Sequence, residues 1–410
     1  MSALKGIEYL RNKLANKRIR VRLRYDFYEM KDKESIVSIT IPAQLRYMYR
    51  STFGWCAKSV DALADRLQFR GFDNDNFQLT EIFNMNNPDV LFDSAILGAL
   101  ISSCDFIYIS ADKDGFPRLQ VIDGGNATGV IDPQTGMLQE GYAVLDRDSD
   151  NNPTIEAYFL PKRTEIWYKG ERNPEVYEHM APYPLLVPII NRPDAKRPFG
   201  HSRISRACMD LQNKARATLE RSEISAEFYS FPQKYVLGLS ADTEGFDQFR
   251  ATISSMLDFR KDEDGDVPTV GQFTQQSMSP YTEQLRTIAS VFAGETGLTL
   301  DDLGFATENP SSSEAIKAAH ENLRLTARKA QRGFGSNFLN AGYLAACLRD
   351  NYSYSRNQLY LTKPKWEPVF EPDASSLSLI GDGAIKINQA VPGYFSKSSL
   401  RDLTGVEADE

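Results

Sequence analysis

The sequence predicts an α+β chain of more than one domain, and three observations carry that prediction. Its 410 residues, 41% hydrophobic and 25% charged, form an ordinary globular mixture, and at roughly 100 to 200 residues per domain they allow several domains. Short β-rich runs separated by Asp, Asn, Gly and Pro turns occupy residues 105–170. Long helical patterns follow that region.

The first 25 residues hold eight Lys or Arg, from Lys5 to Arg24, against one acid, Glu8. They predict a helix with a solvated basic face or a partner-binding arm, then a turn at Arg24 to Lys33. Alternation in Ser35-Ile36-Val37-Ser38-Ile39-Thr40-Ile41 predicts a strand, and Pro42 opens helical periodicity that runs to about Leu67. A further helix is expected near Phe92 to Ser103.

Runs at 106–109, 119–122, 141–145, 154–160 and 164–168 then predict an antiparallel meander or small sandwich. Proline-rich Ala181 to Pro198 reads as an extended connector, because each proline removes a donor and fixes φ.

From about Ser202 to Tyr229, Ile204, Cys208, Leu211, Ala215 and Leu219 step along one helical face, with charges over the others. Such a helix would span roughly 42 Å, which suits a rod packed in a ring or bundle. A strand at Phe231 to Leu239, a helix at Phe246 to Phe259 and a charged loop at Arg260 to Asp266 come next. Tyr281 to Glu295 is helical and Gly297 to Pro310 irregular.

Ser311 and Glu314 form a capping-box signature ahead of a proline-free stretch to Arg349, roughly 54 Å if fully helical. Gly333, Gly335 and Gly342 are expected to kink or divide it. Strand character returns at 358–370, and 381–391 reads as a last short helix.

Several function classes lose support at this level. Four cysteines lie far apart without CxxC spacing, and three histidines are equally scattered, so neither a zinc cage nor a His-based triad is suggested. No stretch approaches 18 uninterrupted apolar residues, and Met1 to Arg24 lacks an apolar signal-peptide core, so a membrane span and secretion are not expected. The net charge of −8 argues against a protein that clamps nucleic acid by neutralising many phosphates, but not against one past which DNA must slide.

There is no P-loop, GxSxG or HExxH motif. Asp146, Asp148, Asp150 and Asn152 imitate a calcium loop, yet Asn151 replaces the glycine of the sixth position, so a polar hairpin is expected. Asp262, Glu263, Asp264 and Asp266 read as an exposed acidic loop, and Asp301-Asp302 has no second catalytic group nearby. A metal-dependent hydrolase on these acids is therefore a remote alternative; no catalytic residue, cofactor or metal ligand is assigned. On the long helix, Lys317, Arg324 and Arg328 share one face that could touch phosphates weakly.

Four stretches, in order over most of the chain, together resemble the portal proteins (head-tail connectors) of tailed bacteriophages, in the branch common among actinobacterial siphophages. They are the aromatic turn Tyr25-Asp26-Phe27-Tyr28-Glu29, Val60 to Leu67 leading to Arg70-Gly71-Phe72, Pro198 to Ser205 with its helix and the exit Pro232 to Gly238, and Leu303-Gly304 with Asn309 to Ile316. The first departs from the family in having Glu29 or Met30 where a glycine is usual, and Lys234 replaces a common Arg.

The resemblance implies a portal fold: a mixed wing over 1–200, a stem helix at 201–230, a clip at 231–279 and a second stem helix at 280–296. It further implies a tunnel loop at 297–311, a long helix at 312–349, a wing return at 350–375 and a crown at 376–410. It implies a ring, normally of twelve subunits, at one capsid vertex of the virion, assembled in the host cytoplasm, through which double-stranded DNA is packaged and ejected. Terminase large subunit, a head-tail adaptor, and the major capsid and scaffolding proteins are the implied partners, with no membrane. Thr299, Leu300, Asp301, Asp302, Thr307, Glu308 and Asn309 would face DNA, with Lys317, Arg324 and Arg328 as lumen contacts. Inter-subunit ion pairs are expected from Arg203, Arg206, Lys214 and Arg221 to Glu220, Glu223 or Glu227. Another ring or adaptor protein of the head-tail junction is the alternative.

Overall fold

The computed structural model describes residues 4–32, 51–230, 234–237, 269–272, 277–305, 318–370 and 374–405. The chain divides into a larger unit (1–32, 54–209 and 292–410) and a smaller one (33–53 and 210–291).

In the larger unit, helix α1 (Ile7–Tyr28) is followed by α2 (Trp55–Ala64), strand β1 (Phe69–Asp73), α3 (Leu79–Asn84) and α4 (Pro88–Ser102). Leu10 and Leu14 on α1 pack against Tyr142, Val144 and Tyr158. Glu140, 1% exposed, accepts hydrogen bonds from the backbone N–H groups of Lys5 (2.9 Å) and Gly6 (3.1 Å) and from the Tyr158 hydroxyl (2.8 Å). A buried carboxylate so placed satisfies donors left open at the start of a helix and matches its positive pole. The helix runs past the expected turn at Arg24, because Phe27 is buried and helical geometry is what turns it inward.

Strands β2 (Cys104–Ala111), β3 (Pro117–Ile122), β4 (Ala127–Ile131), β5 (Leu138–Arg147), β6 (Pro153–Leu160), β7 (Arg163–Tyr168), β8 (Glu175–Glu178) and β9 (Leu186–Ile190) follow. β4 to β8 form a five-stranded antiparallel meander in chain order, and β3-β2-β9 form a second sheet. The expected meander is therefore present. The proline-rich connector contains a strand instead: β9 pairs with β2 from Cys104 opposite Ile190 to Tyr108 opposite Leu186, and is buried throughout. Pro188 is accommodated because β9 is an edge strand, where a missing N–H costs no ladder bond on the open side.

Helix α5 (Arg206–Ser230) begins in the larger unit, and the smaller unit holds its continuation, the two-stranded pair β10 (Lys234–Leu237) and β11 (Thr269–Gln272), and most of α6 (Ser279–Thr296). Within the smaller unit the Ser225 and Tyr281 hydroxyls bond at 2.8 Å, tying α5 to α6.

Back in the larger unit, α7 (Glu321–Arg349) is one uninterrupted helix, contrary to the kinks expected at its glycines. Packing explains Gly335: a Cβ there would lie 2.6 Å from Pro364 Cγ, so the position is kept bare for strand β12 (Lys363–Trp366) to approach. β12 pairs antiparallel with β1. Rings of Phe69, Phe92, Phe338 and Trp366 join α4, α7 and this ribbon, with centroids 4.4 Å apart for Phe69–Phe92 and 4.7 Å for Phe92–Phe338. Such pairs add about 0.5–1.5 kcal/mol each beyond the area they bury. The chain closes with α8 (Ala374–Ala390), which starts earlier than the expected 381, and α9 (Lys397–Thr404). The expected elements at 35–41 and 246–259 and the capping box Ser311/Glu314 lie outside the described residues.

Candidate functional site

The α5 helix begins on a tightly bonded turn. Gly200 sits at φ 71°, and a Cβ there would meet the Asn191 carbonyl oxygen at 2.1 Å, so only glycine fits. Asn191 Nδ2 donates to the His201 carbonyl at 2.8 Å, and the Ser205 hydroxyl accepts from Cys208 N–H at 3.1 Å, as an N-cap side chain does. The stretch from Pro198 to Ser205, the most specific of the four motifs, is thus a strand-to-helix corner. Of the apolar stripe, Ile204, Cys208 and Ala215 are buried and Leu211 and Leu219 half-buried.

The charges expected to bridge subunits separate into groups. Arg203 turns inward: its Nε donates to the Ser59 carbonyl at 3.0 Å and its Nη2 to the Thr296 carbonyl. Desolvation pulls its pKa down to about 10. This guanidinium clamps α2 and the end of α6 to the head of α5 within one protomer, a structural role not foreseen for it. Arg206, Lys214 and Arg221 are exposed, and Lys214 pairs with Asp210 one turn back at 2.7 Å. Glu220 and Glu223 both face Ser51, accepting from its N–H and its hydroxyl at 3.4 Å. The Glu227 side chain lies outside the described residues.

Of the expected tunnel loop, Thr299 to Asp302 form a bonded turn. Asp302 Oδ2 accepts from the Thr299 N–H and hydroxyl, both at 2.9 Å, and residues 301–303 make one 3-10 turn anchored by buried Leu303. Gly297 and Gly304, expected as flexible points, hold left-handed φ values of 71° and 89° that end α6 and this turn. Thr307, Glu308, Asn309 and Lys317 lie outside the described residues. On α7, Arg324 is held by Glu321 through two bonds of 2.6 and 2.5 Å, which draws Glu321 below the usual carboxylate range. Arg328 lines a shallow groove with Pro364 and Trp366.

The calcium-like turn is a polar hairpin: Asp148 accepts from Asn152 N–H at 2.8 Å and pairs with Lys169 at 2.8 Å, while Asn151 takes φ 66°. Asp262 to Asp266 lie outside the described residues.

The largest departure from the sequence reading is the basic face of α1. Lys13 donates to the Gly129 carbonyl at 2.6 Å, Lys17 to the Ala127 carbonyl at 3.3 Å and Arg24 to the Ser102 carbonyl at 2.7 Å, so these cations are packed inward, not solvated. The spacing of Lys13, Lys17, Arg20 and Arg24, in steps of four, three and four, was the available signal, since it places four cations on one helical stripe.

Comparison with known proteins adds what this geometry alone does not state. The chain is 24% identical over 414 aligned residues to the portal protein of Mycobacterium phage D29, covering 95% of this chain and 83% of the relative. It is 23% identical to the portal protein of Mycobacterium phage L5 over 72% of this chain and 65% of the relative. The chain is thus similar to the portal proteins of two mycobacteriophages, in keeping with the resemblance its four motifs carry. No protein-family model matches it. Among solved structures it is similar to a chain of the virion of a native gene transfer agent particle (TM-score 0.47, 13% identity, 94% of this chain and 99% of that one). It is also similar to a chain of the neck of that particle computed with C12 symmetry (TM-score 0.45, 13% identity, 95% and 100%).

Proposed function

We propose that the chain is the subunit of a ring-shaped portal at one capsid vertex, through which double-stranded DNA is packaged and later ejected. The observation that carries this reading is the similarity to a mycobacteriophage portal protein over 95% of the chain. A ring of twelve copies, assembled in the host cytoplasm and retained in the virion, follows from the same kinship. So do docking of the terminase large subunit and then a head-tail adaptor, and contacts with the major capsid and scaffolding proteins.

In this reading 1–200 with 350–375 is the wing, 201–230 and 280–296 the stem, 231–279 the clip, 297–311 the tunnel loop, 312–349 the helix behind it and 376–410 the crown. The exposed Arg206 and Arg221 are the stem cations that would meet Glu220, Glu223 or Glu227 of an adjacent copy, with Lys214 joining them by exchanging its exposed partner Asp210, whereas Arg203 already serves its own protomer. A net charge of −8 per copy suits a channel that must pass a polyanion in either direction without trapping it. Thr299 to Asn309 then form the constriction, with Thr299 to Asp302 held as a bonded turn at its start. Arg324 and Arg328 contribute at most weak phosphate contacts, since Arg324 is already paired with Glu321.

Shortening the segment between Gly304 and Asn309, which leaves buried Leu303 in place, tests the channel role. Rings should form as before while DNA packaging or retention falls at least tenfold; packaging at the unmodified level would contradict the assignment.

A further inference from the structure

The larger unit contains an open cavity of about 950 Å³ between α1 and the segment from Arg197 to Met209. Six of its lining residues are Lys13, Lys17, Arg20, Arg24, Arg197 and Arg206, and none is Asp or Glu. In a chain of net charge −8, so many cations around one hollow form a locally positive site.

The inner cations bond directly to neutral groups, with Asp105 and Asp123 attracting Lys17 and Glu140 attracting Lys13 from beyond ion-pair distance. Lys13 and Lys17 bond to backbone carbonyls and also lie 4.6 Å and 5.9 Å from the centre of the Phe199 ring, and Arg24 bonds to the Ser102 carbonyl. Among the described residues no carboxylate comes within ion-pair distance of any of the six. Asp194, three residues before Arg197, is engaged by His201 Nε2 at 2.6 Å. Arg20, Arg197 and Arg206 are exposed at the mouth. Burial first, and repulsion from Lys17 and Lys5 second, bring Lys13 down to about 8. Arg24 is lowered by burial and then by Arg20 and Arg197. An incoming carboxylate would relieve both effects, and charge-assisted bonds to arginine are the strong ones.

We propose that this cavity receives carboxylate side chains of a second copy of the chain and so anchors one subunit to the next. The inference rests on the ring reading above. Each copy carries 55 Asp and Glu against 47 Lys and Arg, so a cluster of six cations without a lining acid is complementary to the acidic surface of a neighbouring copy. A cavity of this size admits a few side chains or a small molecule. A rigid duplex would reach only the exposed rim arginines Arg20, Arg197 and Arg206, and not the inner Lys13, Lys17 and Arg24.

The test uses the full chain, the double variant Arg20→Glu/Arg197→Glu and the charge-preserving Arg20→Lys/Arg197→Lys. Thermal melting, mass photometry at graded salt and zero-length carbodiimide crosslinking are read on each. The expected result is unchanged melting, with the concentration for ring formation raised at least tenfold in the Glu variant. The Lys variant should assemble normally and crosslink from positions 20 or 197 to an acid of another copy. If the Glu variant assembles like the unmodified chain, or the Lys variant crosslinks only within one chain, the proposal is wrong while the ring reading stands. A Glu variant that keeps its rings but loses binding to heparin, duplex DNA or inorganic phosphate marks the cavity as a free-anion site and also overturns it. If the Glu variant melts lower, the crosslinks of the Lys variant decide. Failure of the unmodified chain to assemble removes both readings together.

Discussion

At the scale of single residues, His179 shows most directly how burial controls behaviour. It is 7% exposed, and desolvation brings its pKa from 6.5 down to about 4. The folded protein therefore keeps it neutral while the unfolded chain protonates it. Its contribution is complete above pH 6.5 and is lost as pH falls toward 4, on the order of 3 kcal/mol. Asp105 works in the opposite sense: burial, then the Asp123 charge, raise it to about 7, so its contribution is present in acid and lost as pH rises from about 4 to 7. Urea unfolding of His179→Phe against the unmodified chain at pH 7 and pH 5 should show the unmodified chain losing more stability on acidification. Parallel curves would contradict the account. Arg203→Ala should cost about 2–4 kcal/mol by leaving the Ser59 and Thr296 carbonyls unmet, with Arg203→Lys partly restoring stability; a cost under about 0.5 kcal/mol would show that the clamp does not matter. Neither role was legible in the sequence. A lone histidine and an arginine on a helix approach read alike whether buried or solvated, and only the three-dimensional neighbours distinguish them.

At the scale of elements, local pattern carried far. The alternating runs at 106–109 and 154–160 became strands of the two sheets, and the four-three-four stripe from Ile204 became the buried side of α5, because those periods are the geometry of the elements themselves. β9 was missed because proline counts against a strand in isolation, whereas its edge position and burial against β2 depend on contacts some 80 residues back along the chain. The glycines of α7 were misread for a related reason. Gly333 and Gly335 look equivalent in sequence, yet a Cβ at Gly333 meets nothing within 4 Å while one at Gly335 strikes Pro364. Gly333→Ala should raise stability by about 0.5–1 kcal/mol through helix propensity, and Gly335→Val should lower it by about 1–3 kcal/mol through overpacking. Chemical denaturation of the two variants checks the pair, and equal shifts of either sign would contradict this packing of β12 on α7.

At the scale of the whole molecule, the α+β class and the order of sheet region, long helix and second helix were readable from composition and period. The division into units was not. Residues 33–53 group with 210–291, and 292–410 return to the first unit, through contacts that no local window contains. The basic stripe of α1 illustrates the same limit: its spacing was visible, but whether it faced water or a cavity depended on Phe199, Gly129 and Arg197 far along the chain. The resemblance to portal proteins became legible through motif order, to which the corner from Pro198 to Ser205 contributes its fixed glycine and cap. In the proposed ring, the charged flanks of α5 and the cationic cavity find their counterparts on neighbouring copies. Negative-stain electron microscopy of the purified full chain, with native mass measurement of the same sample, examines that assembly most directly. The account predicts annular particles with a central opening, at a mass many times that of the 46.2 kDa chain. A species of 46.2 kDa at every concentration and salt, with no annular particles, would contradict it.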